Sequence, residues 1–175
     1  MKLFLVGYMG CGKSSLGRRI ARRTNVRFID TDSVIEEREG AETVDIFRYA
    51  GEEYFRCAER ALIERIAAEK EDAVVSTGGG LPVWKDNMEL MNAVGTTVYI
   101  RRSAEQIASR LTPYGRRKRP RLRGLDDGEL VEFMKRNMAE REPFYAKANY
   151  VFDMEHMGDE QLVSAVIEIM NGDER

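Results

Sequence analysis

The feature that most constrains the fold is a glycine-rich run from Gly7 to Ser14, which matches the pattern G-x-x-x-x-G-K-[S/T] in full. It follows a short apolar stretch, Lys2–Val6, and opens an amphipathic stretch, Lys13–Thr24. The order predicts a strand, a tight turn and a helix. Glycines let successive backbone N–H groups converge on an anion, and the N-terminus of the helix adds a favourable dipole. We therefore expect this turn to bind the phosphates of a nucleoside triphosphate.

Within this turn, two side chains have an expected task. Lys13 would reach the β- and γ-phosphates, and the Ser14 hydroxyl would ligate Mg²⁺. The match alone does not name the reaction, because GTPases, motor ATPases and metabolite kinases share it. No N-K-x-D segment is present to read guanine, and the apolar run Ala73–Ser76 leads into glycines rather than Asp-Glu. The chain of 175 residues suits a small kinase better than a large ATPase.

Short apolar runs alternate with amphipathic stretches along the rest of the chain. Strands are predicted at Lys2–Val6, Val26–Asp30, Ala73–Ser76, Thr97–Arg101 and Tyr150–Phe152. Helices are predicted at Lys13–Thr24, Glu53–Lys70, Asp86–Ala93, Ala104–Leu111, Glu129–Arg141 and Asp159–Met170. This alternation indicates an α/β protein with a parallel sheet covered on both faces. Functional residues should then lie beyond the carboxyl ends of the strands.

Composition narrows the classes of partner. The chain is 43% apolar and 33% charged with a net charge of −2, so it can form a core and has no overall positive field for nucleic acid or anionic lipid. The apolar run Leu3–Val6 is too short to span a membrane. Two cysteines, Cys11 and Cys57, and one histidine, His156, are too few for a Cys/His zinc site. We expect a cytoplasmic protein with reduced thiols.

Two acids end the second predicted strand, Asp30 and Asp32. In extended backbone this spacing points both carboxylates the same way, so one could hold Mg²⁺ through water while the other accepts a proton from an attacking hydroxyl. The alternative is an acidic turn that caps a helix beginning near Ser33. The adjacent phosphate loop favours the functional interpretation.

Arginines and glycines supply candidates for a second substrate. Arg56 follows Gly51 in the second turn of a predicted helix, and its planar fork suits a carboxylate. Glu59 could orient it, although an ordinary surface ion pair has the same spacing. The run Gly78–Gly80 after a strand lets backbone amides approach a ligand, and Arg141, near Pro143, is a second candidate arginine.

A strongly basic segment, Arg116–Arg123, contains six cations in eight residues. It has no interleaved aromatics for base stacking, so we favour a lid that supplies a cation to the transferring phosphoryl group over a nucleic-acid patch. We expect the lid at about residues 112–124.

Taken together, these motifs resemble the shikimate kinase family over nearly the whole chain, from Lys2 to about Phe152. The motifs in chain order are Gly7–Ser14, Asp30-Thr31-Asp32, Gly51–Arg56, Gly78–Gly80, Arg119-Pro120 and Arg141-x-Pro-x-Tyr145. The resemblance implies a three-layer P-loop NTPase fold with a five-stranded parallel sheet flanked by helices, plus a lid. It implies transfer of the γ-phosphoryl group of ATP to the 3-hydroxyl of shikimate, on the route to chorismate and aromatic amino acids. The chain would then be one kinase domain, residues 1–175, with a substrate-binding segment at about 31–60, and a monomer.

The resemblance also implies roles for individual residues. ATP and Mg²⁺ would be bound by Gly10, Cys11, Gly12, Lys13, Ser14 and Ser15, by Asp30 through water, and by Arg119 on the lid. Shikimate would be bound by Asp32, Arg56, Gly78, Gly79, Gly80 and Arg141. Lys13, Asp32 and Arg119 would be catalytic, with Asp32 as the base.

Some positions depart from the family pattern, and other functions stay open. Cys11 stands where Ala or Ser is frequent, Pro120 is followed by Arg121 rather than Leu, and the adenine contact after the last strand is unassigned. A kinase for gluconate or a nucleoside monophosphate is the nearest rival enzyme. A basic-lid RNA binder without turnover is the non-enzymatic alternative.

Overall fold

Five parallel strands form the centre of the computed structural model, which describes residues 1–112, 122 and 124–172. The strands are β1 (Lys2–Val6), β2 (Arg27–Asp30), β3 (Ala73–Ser76), β4 (Thr96–Arg101) and β5 (Tyr150–Asp153). Their order in the sheet is β2-β3-β1-β4-β5, and every pairing is parallel. The predicted α/β class with a five-stranded parallel sheet flanked by helices is confirmed.

The strands at the centre of the sheet are more buried than the strands at its edges. Every residue of β1 and of β3 is buried, as expected for parallel strands packed on both faces. The edge strands β2 and β5 are more exposed. Burial therefore follows strand position, and the core lies around β1, β3 and β4.

Eight α-helices surround the sheet within the described part of the chain. They are α1 (Lys13–Thr24), α2 (Thr31–Glu39), α3 (Thr43–Tyr49), α4 (Glu52–Ala68), α5 (Asn87–Val94), α6 (Ala104–Arg110), α7 (Asp127–Tyr145) and α8 (Asp159–Gly172). A short 3₁₀ turn, Leu81–Val83, follows the glycine run. Helix α1 has the predicted bounds. The sequence periodicity did not predict α2 and α3. None of the described helices is long and apolar enough to span a membrane.

Strand register brings the carboxyl ends together. Ser76 aligns with Leu5 on one side and with Asp30 on the other, and Val6 aligns with Tyr99. The loops after β1, β2, β3 and β4 therefore leave the same edge of the sheet. Strand order reverses at β1, which is where a crevice forms in such sheets. Of the lid predicted at about 112–124, only Thr112, Leu122 and Gly124 lie within the described residues, and Arg119 lies outside them.

Candidate active site

The loop after β1 has the backbone of an anion cradle. Gly7, Gly10 and Gly12 have φ angles of 142°, 79° and 106°, a region that side chains rarely adopt and that turns successive N–H groups inward. The buried Lys13 ammonium donates hydrogen bonds to the carbonyls of Gly7 at 2.8 Å and Tyr8 at 2.9 Å. The lysine is thus held within the loop that the motif predicted.

Three oxygen atoms meet beside this loop. Ser14 Oγ donates to Asp30 Oδ2 at 2.6 Å and lies 3.1 Å from Ser76 Oγ. They come from the start of α1 and the ends of β2 and β3. Such an all-oxygen set matches the preference of Mg²⁺, which takes few protein ligands and completes its shell with phosphate oxygens and water. Within the described residues, no cluster of three or more His, Cys, Asp or Glu side chains is suited to a metal.

Asp30 and Asp32 do not lie in one extended segment, so that prediction was wrong. Strand β2 ends at Asp30, whose Oδ1 accepts a hydrogen bond from Ser33 N at 3.4 Å and caps α2. Asp32 lies in the first turn of this helix. The cap interpretation is therefore right for Asp30, which also contacts Ser14 through its other oxygen.

Asp32 and Glu59 place carboxyl oxygens against the same glycine. A Cβ atom on Gly78 would lie 2.5 Å from Asp32 Oδ1 and 2.6 Å from Glu59 Oε1. Among the described residues neither oxygen has a hydrogen-bond partner. Burial, assisted by the nearby Asp30 carboxylate, raises the pKa of Asp32 to about 6. A carboxylate of this kind is mostly ionised at pH 7.5 and is more basic than a solvated one, which suits proton acceptance.

Arg56 is fixed by two acids on its own helix. Its Nη1 donates to Glu59 Oε2 at 2.6 Å and its Nη2 to Glu52 Oε1 at 3.0 Å. Glu59 is fully buried, so the interpretation of this pair as an ordinary surface ion pair is wrong. Burial raises the pKa of Glu59 to about 7 despite the opposing effect of Arg56.

The two candidate arginines converge on the glycine run. Arg141 Nη1 donates to the Gly79 carbonyl at 3.3 Å, and a Cβ atom on Gly80 would collide with the Arg56 guanidinium. The Tyr145 hydroxyl donates to the same Gly79 carbonyl at 2.5 Å. The guanidinium groups of Arg56 and Arg141 thus lie against two consecutive glycines, Gly80 and Gly79, and together they form a site that suits a small carboxylate.

Most of these groups line one cavity of about 570 Å³. Its polar lining includes Lys13, Ser14, Asp30, Asp32, Arg56, Glu59, Gly78, Gly79, Gly80 and Arg141. Val44, Phe47 and Phe55 from α3 and α4 add apolar surface. A hydroxylated ring with one carboxylate would find both polar partners and a wall for its carbon face.

Comparison with known proteins identifies the family. The family model for shikimate kinase matches residues 9–171. A shikimate kinase from Parabacteroides distasonis is 46% identical over 89% of this chain and 89% of its own. The crystal structure of shikimate kinase from Bacteroides thetaiotaomicron has a TM-score of 0.86 at 38% identity, covering 98% of this chain and 97% of its own. The chain belongs to the shikimate kinase family.

A further relative extends this result. A shikimate kinase from Acinetobacter baumannii, solved in complex with shikimate, has a TM-score of 0.83 at 26% identity and covers 98% of this chain and 93% of its own. Family membership makes this chain an ATP-dependent kinase of a small molecule.

The structure distributes the predicted site residues in three ways. Most line the cavity, namely Gly10, Lys13, Ser14, Asp30, Asp32, Arg56, Gly78, Gly79, Gly80 and Arg141. Cys11 is a buried free thiol whose Sγ lies 3.8 Å from the Lys13 ammonium. Gly12 precedes α1, and Ser15 Oγ turns back to donate to the Gly12 carbonyl at 3.1 Å. Arg119 lies outside the described residues.

Sequence reasoning did not select Ser76, Thr31 or Tyr145 as site residues. Ser76 is the polar last residue of an otherwise apolar strand, and that position was a usable signal. Thr31 Oγ1 accepts a hydrogen bond from Gly78 N at 2.9 Å and thereby ties α2 to the glycine run. This contact joins distant segments and has no local sequence signal.

Proposed function

We propose that this chain transfers the γ-phosphoryl group of ATP to the 3-hydroxyl of shikimate, giving shikimate 3-phosphate and ADP. The observation that carries the proposal is the pair of arginines, Arg56 and Arg141, on consecutive glycines of the cavity that also holds Lys13 and Asp32. These two cations suit the carboxylate of shikimate, and the acid nearby suits a ring hydroxyl.

In the proposed reaction the 3-hydroxyl oxygen attacks the γ-phosphorus. A new oxygen–phosphorus bond forms, the bond from the γ-phosphorus to the β,γ-bridging oxygen breaks, and the hydroxyl proton passes to Asp32. Lys13 neutralises charge on the transferred group, while Arg56 and Arg141 hold the acceptor. Positioning and charge stabilisation supply most of the acceleration in such transfers.

Ser14 and Asp30, the latter through water, would hold Mg²⁺. The bound ion would neutralise charge on the β- and γ-phosphates. We further propose that Arg119 brings a cation from the lid to the same phosphates. On this proposal the enzyme acts in the cytoplasm, where ATP is available.

The proposal is tested by a coupled ADP-release assay with shikimate, gluconate and the nucleoside monophosphates as separate acceptors. We expect turnover with shikimate and with none of the other acceptors, and a product that carries phosphate on the 3-hydroxyl. Lys13→Met serves as the inactive control. Turnover with gluconate or a nucleotide but none with shikimate would refute the assignment.

A further inference from the structure

A buried arginine outside the cavity contacts the phosphate loop. Arg102 follows β4 directly and is only 6% exposed. Its Nε donates a hydrogen bond to the backbone carbonyl of Cys11 at 2.8 Å. Burial of a guanidinium is costly unless it is paired and hydrogen-bonded, so this contact is an integral part of the structure around the loop.

The hydrogen bond to Cys11 also determines the direction of the next N–H group. Peptide units are planar, and no cis peptide bond occurs in the described residues, so the Cys11 carbonyl and the Gly12 N–H point to opposite sides. Arg102 does not line the cavity. Because the Cys11 carbonyl is held toward Arg102, we infer that the Gly12 N–H turns toward the inner side of the loop, where phosphate oxygens are expected.

Arg102 is itself held by an acid from another element. Its Nη2 forms an ion pair with Asp159, the first residue of α8. Asp159 also accepts from Arg110 Nη2 at 3.2 Å. Partial burial acts to raise the pKa of Asp159, but the hydrogen bonds from Arg102 and Arg110 lower it overall. The acid is thus ionised at neutral pH and fixes the plane of the Arg102 guanidinium.

We propose that Arg102 is a positioning residue for the polyphosphate of the nucleotide, acting through the Cys11–Gly12 peptide and oriented by Asp159. It touches neither substrate; it keeps one N–H of the cradle aimed at the phosphates before the nucleotide arrives. This inference rests on the proposed function only in taking ATP as the nucleotide.

Three variants test it by calorimetric binding of ADP, of pyrophosphate and of shikimate, each alone. Arg102→Met keeps the length of the side chain and removes its donors, so the Kd for ADP and for pyrophosphate should rise on the order of tenfold. Pyrophosphate has no base or ribose, so weaker binding of pyrophosphate would show that the effect lies in the phosphate loop. Arg102→Lys should be intermediate, because a single ammonium cannot replace the planar fork. The Kd for shikimate should not change.

The matched control is Arg101→Met, the neighbouring arginine, which is exposed and pairs with Asp153. It should alter every Kd by less than about twofold, as expected for an exposed pair. An unchanged Kd for pyrophosphate in Arg102→Met would overturn the inference. Equal weakening of shikimate and ADP would also overturn it, because that pattern indicates a general structural role.

If Arg102→Met does not fold, Arg102→Lys decides the question by the same measurements. The outcomes also separate the two proposals. A wild-type protein that binds ADP but does not phosphorylate shikimate contradicts the proposed function and leaves the role of Arg102 testable. A protein that phosphorylates shikimate, and whose Arg102 variants keep full affinity for pyrophosphate, contradicts the role of Arg102 alone.

Discussion

Arg56 lies at the boundary between the folded framework and the cavity. Two of its nitrogens bond to Glu52 and Glu59 on its own helix, yet its side chain still lines the cavity. These two acids fix the direction of the guanidinium before any ligand binds. Such preorganisation reduces the side-chain entropy that binding would otherwise cost.

Replacement of Arg56 by alanine should raise the KM for shikimate by about thirtyfold or more, since hydrogen bonds to a charged group are lost. Binding of ATP without shikimate should stay close to the wild-type value. Steady-state kinetics and calorimetry measure the two effects. Arg60→Ala is the matched control, because Arg60 lies on the same helix and pairs with Glu64 and Asp86 outside the cavity. Equal weakening of both ligands would assign Arg56 a structural role.

Single residues differ in how far the sequence reveals them. Lys13 and Ser14 belong to a motif whose spacing is the one that phosphate binding requires, so the sequence alone predicts their place in the loop. The burial of Glu59 and of Arg102 depends on elements far along the chain, and no local pattern predicts it. An isolated arginine after a strand has the same sequence appearance whether it faces solvent or a buried carbonyl.

At the scale of elements, the junction of β2 and α2 combines two tasks in Asp30. One oxygen caps the helix and the other accepts from Ser14. Asparagine is about as good a cap as aspartate, whereas alanine is not. The two tasks can therefore be separated by substitution.

Asp30→Asn should leave the free energy of unfolding near the wild-type value and raise the Mg²⁺ concentration needed for half-maximal activity several-fold, roughly as expected for loss of one charged oxygen. Asp30→Ala should raise that concentration too and, in addition, lower the free energy of unfolding by about 1 kcal/mol. Urea unfolding and Mg²⁺ titrations of activity give the two quantities. Equal destabilisation by both substitutions would show that the charge, not the cap, stabilises α2.

Elements with strong periodicity were predictable, and short ones at the site were not. The amphipathic pattern of α1 gave its bounds, and the apolar runs gave all five strands within a residue or so at each end. Helices α2 and α3 are short and have few buried residues, namely Thr31, Ile35 and Ile46. Too few apolar positions repeat there to distinguish a helix from a turn.

Across the whole molecule, burial of acids in the cavity affects stability. Glu59 has a pKa of about 7 in the folded protein, above its ordinary value of 4.5. Below pH 4.5 it is protonated in both the folded and the unfolded state. Between pH 4.5 and 7 the unfolded chain releases this proton while the folded protein keeps it, so the free energy of unfolding falls as pH rises. Asp32 acts in the same direction between 3.8 and about 6.

The free energy of unfolding of the ligand-free protein should therefore fall between pH 5 and pH 8. In the Glu59→Gln variant this fall should be smaller than in the wild type by roughly 2 kcal/mol. Urea unfolding at the two pH values, in both proteins, measures the difference. Glu64→Gln is the control on the same helix, because Glu64 is exposed and pairs with Arg60. It should decline as much as the wild type. A decline in Glu59→Gln that equals the wild-type decline would contradict the linkage.

The parallel sheet order has a consequence for how the chain acquires its structure. Strand β1 is synthesised before both of its neighbours, since Leu3 pairs with Val74 in β3 and with Thr96 in β4. Pairings between distant segments must pay the loop-closure entropy first and form slowly. During synthesis on the ribosome, strand β1, which leads into the phosphate loop, would therefore be paired on both sides only after β4 has been made. Nascent chains that stop before β4 should expose an unpaired β1 edge and depend on chaperones.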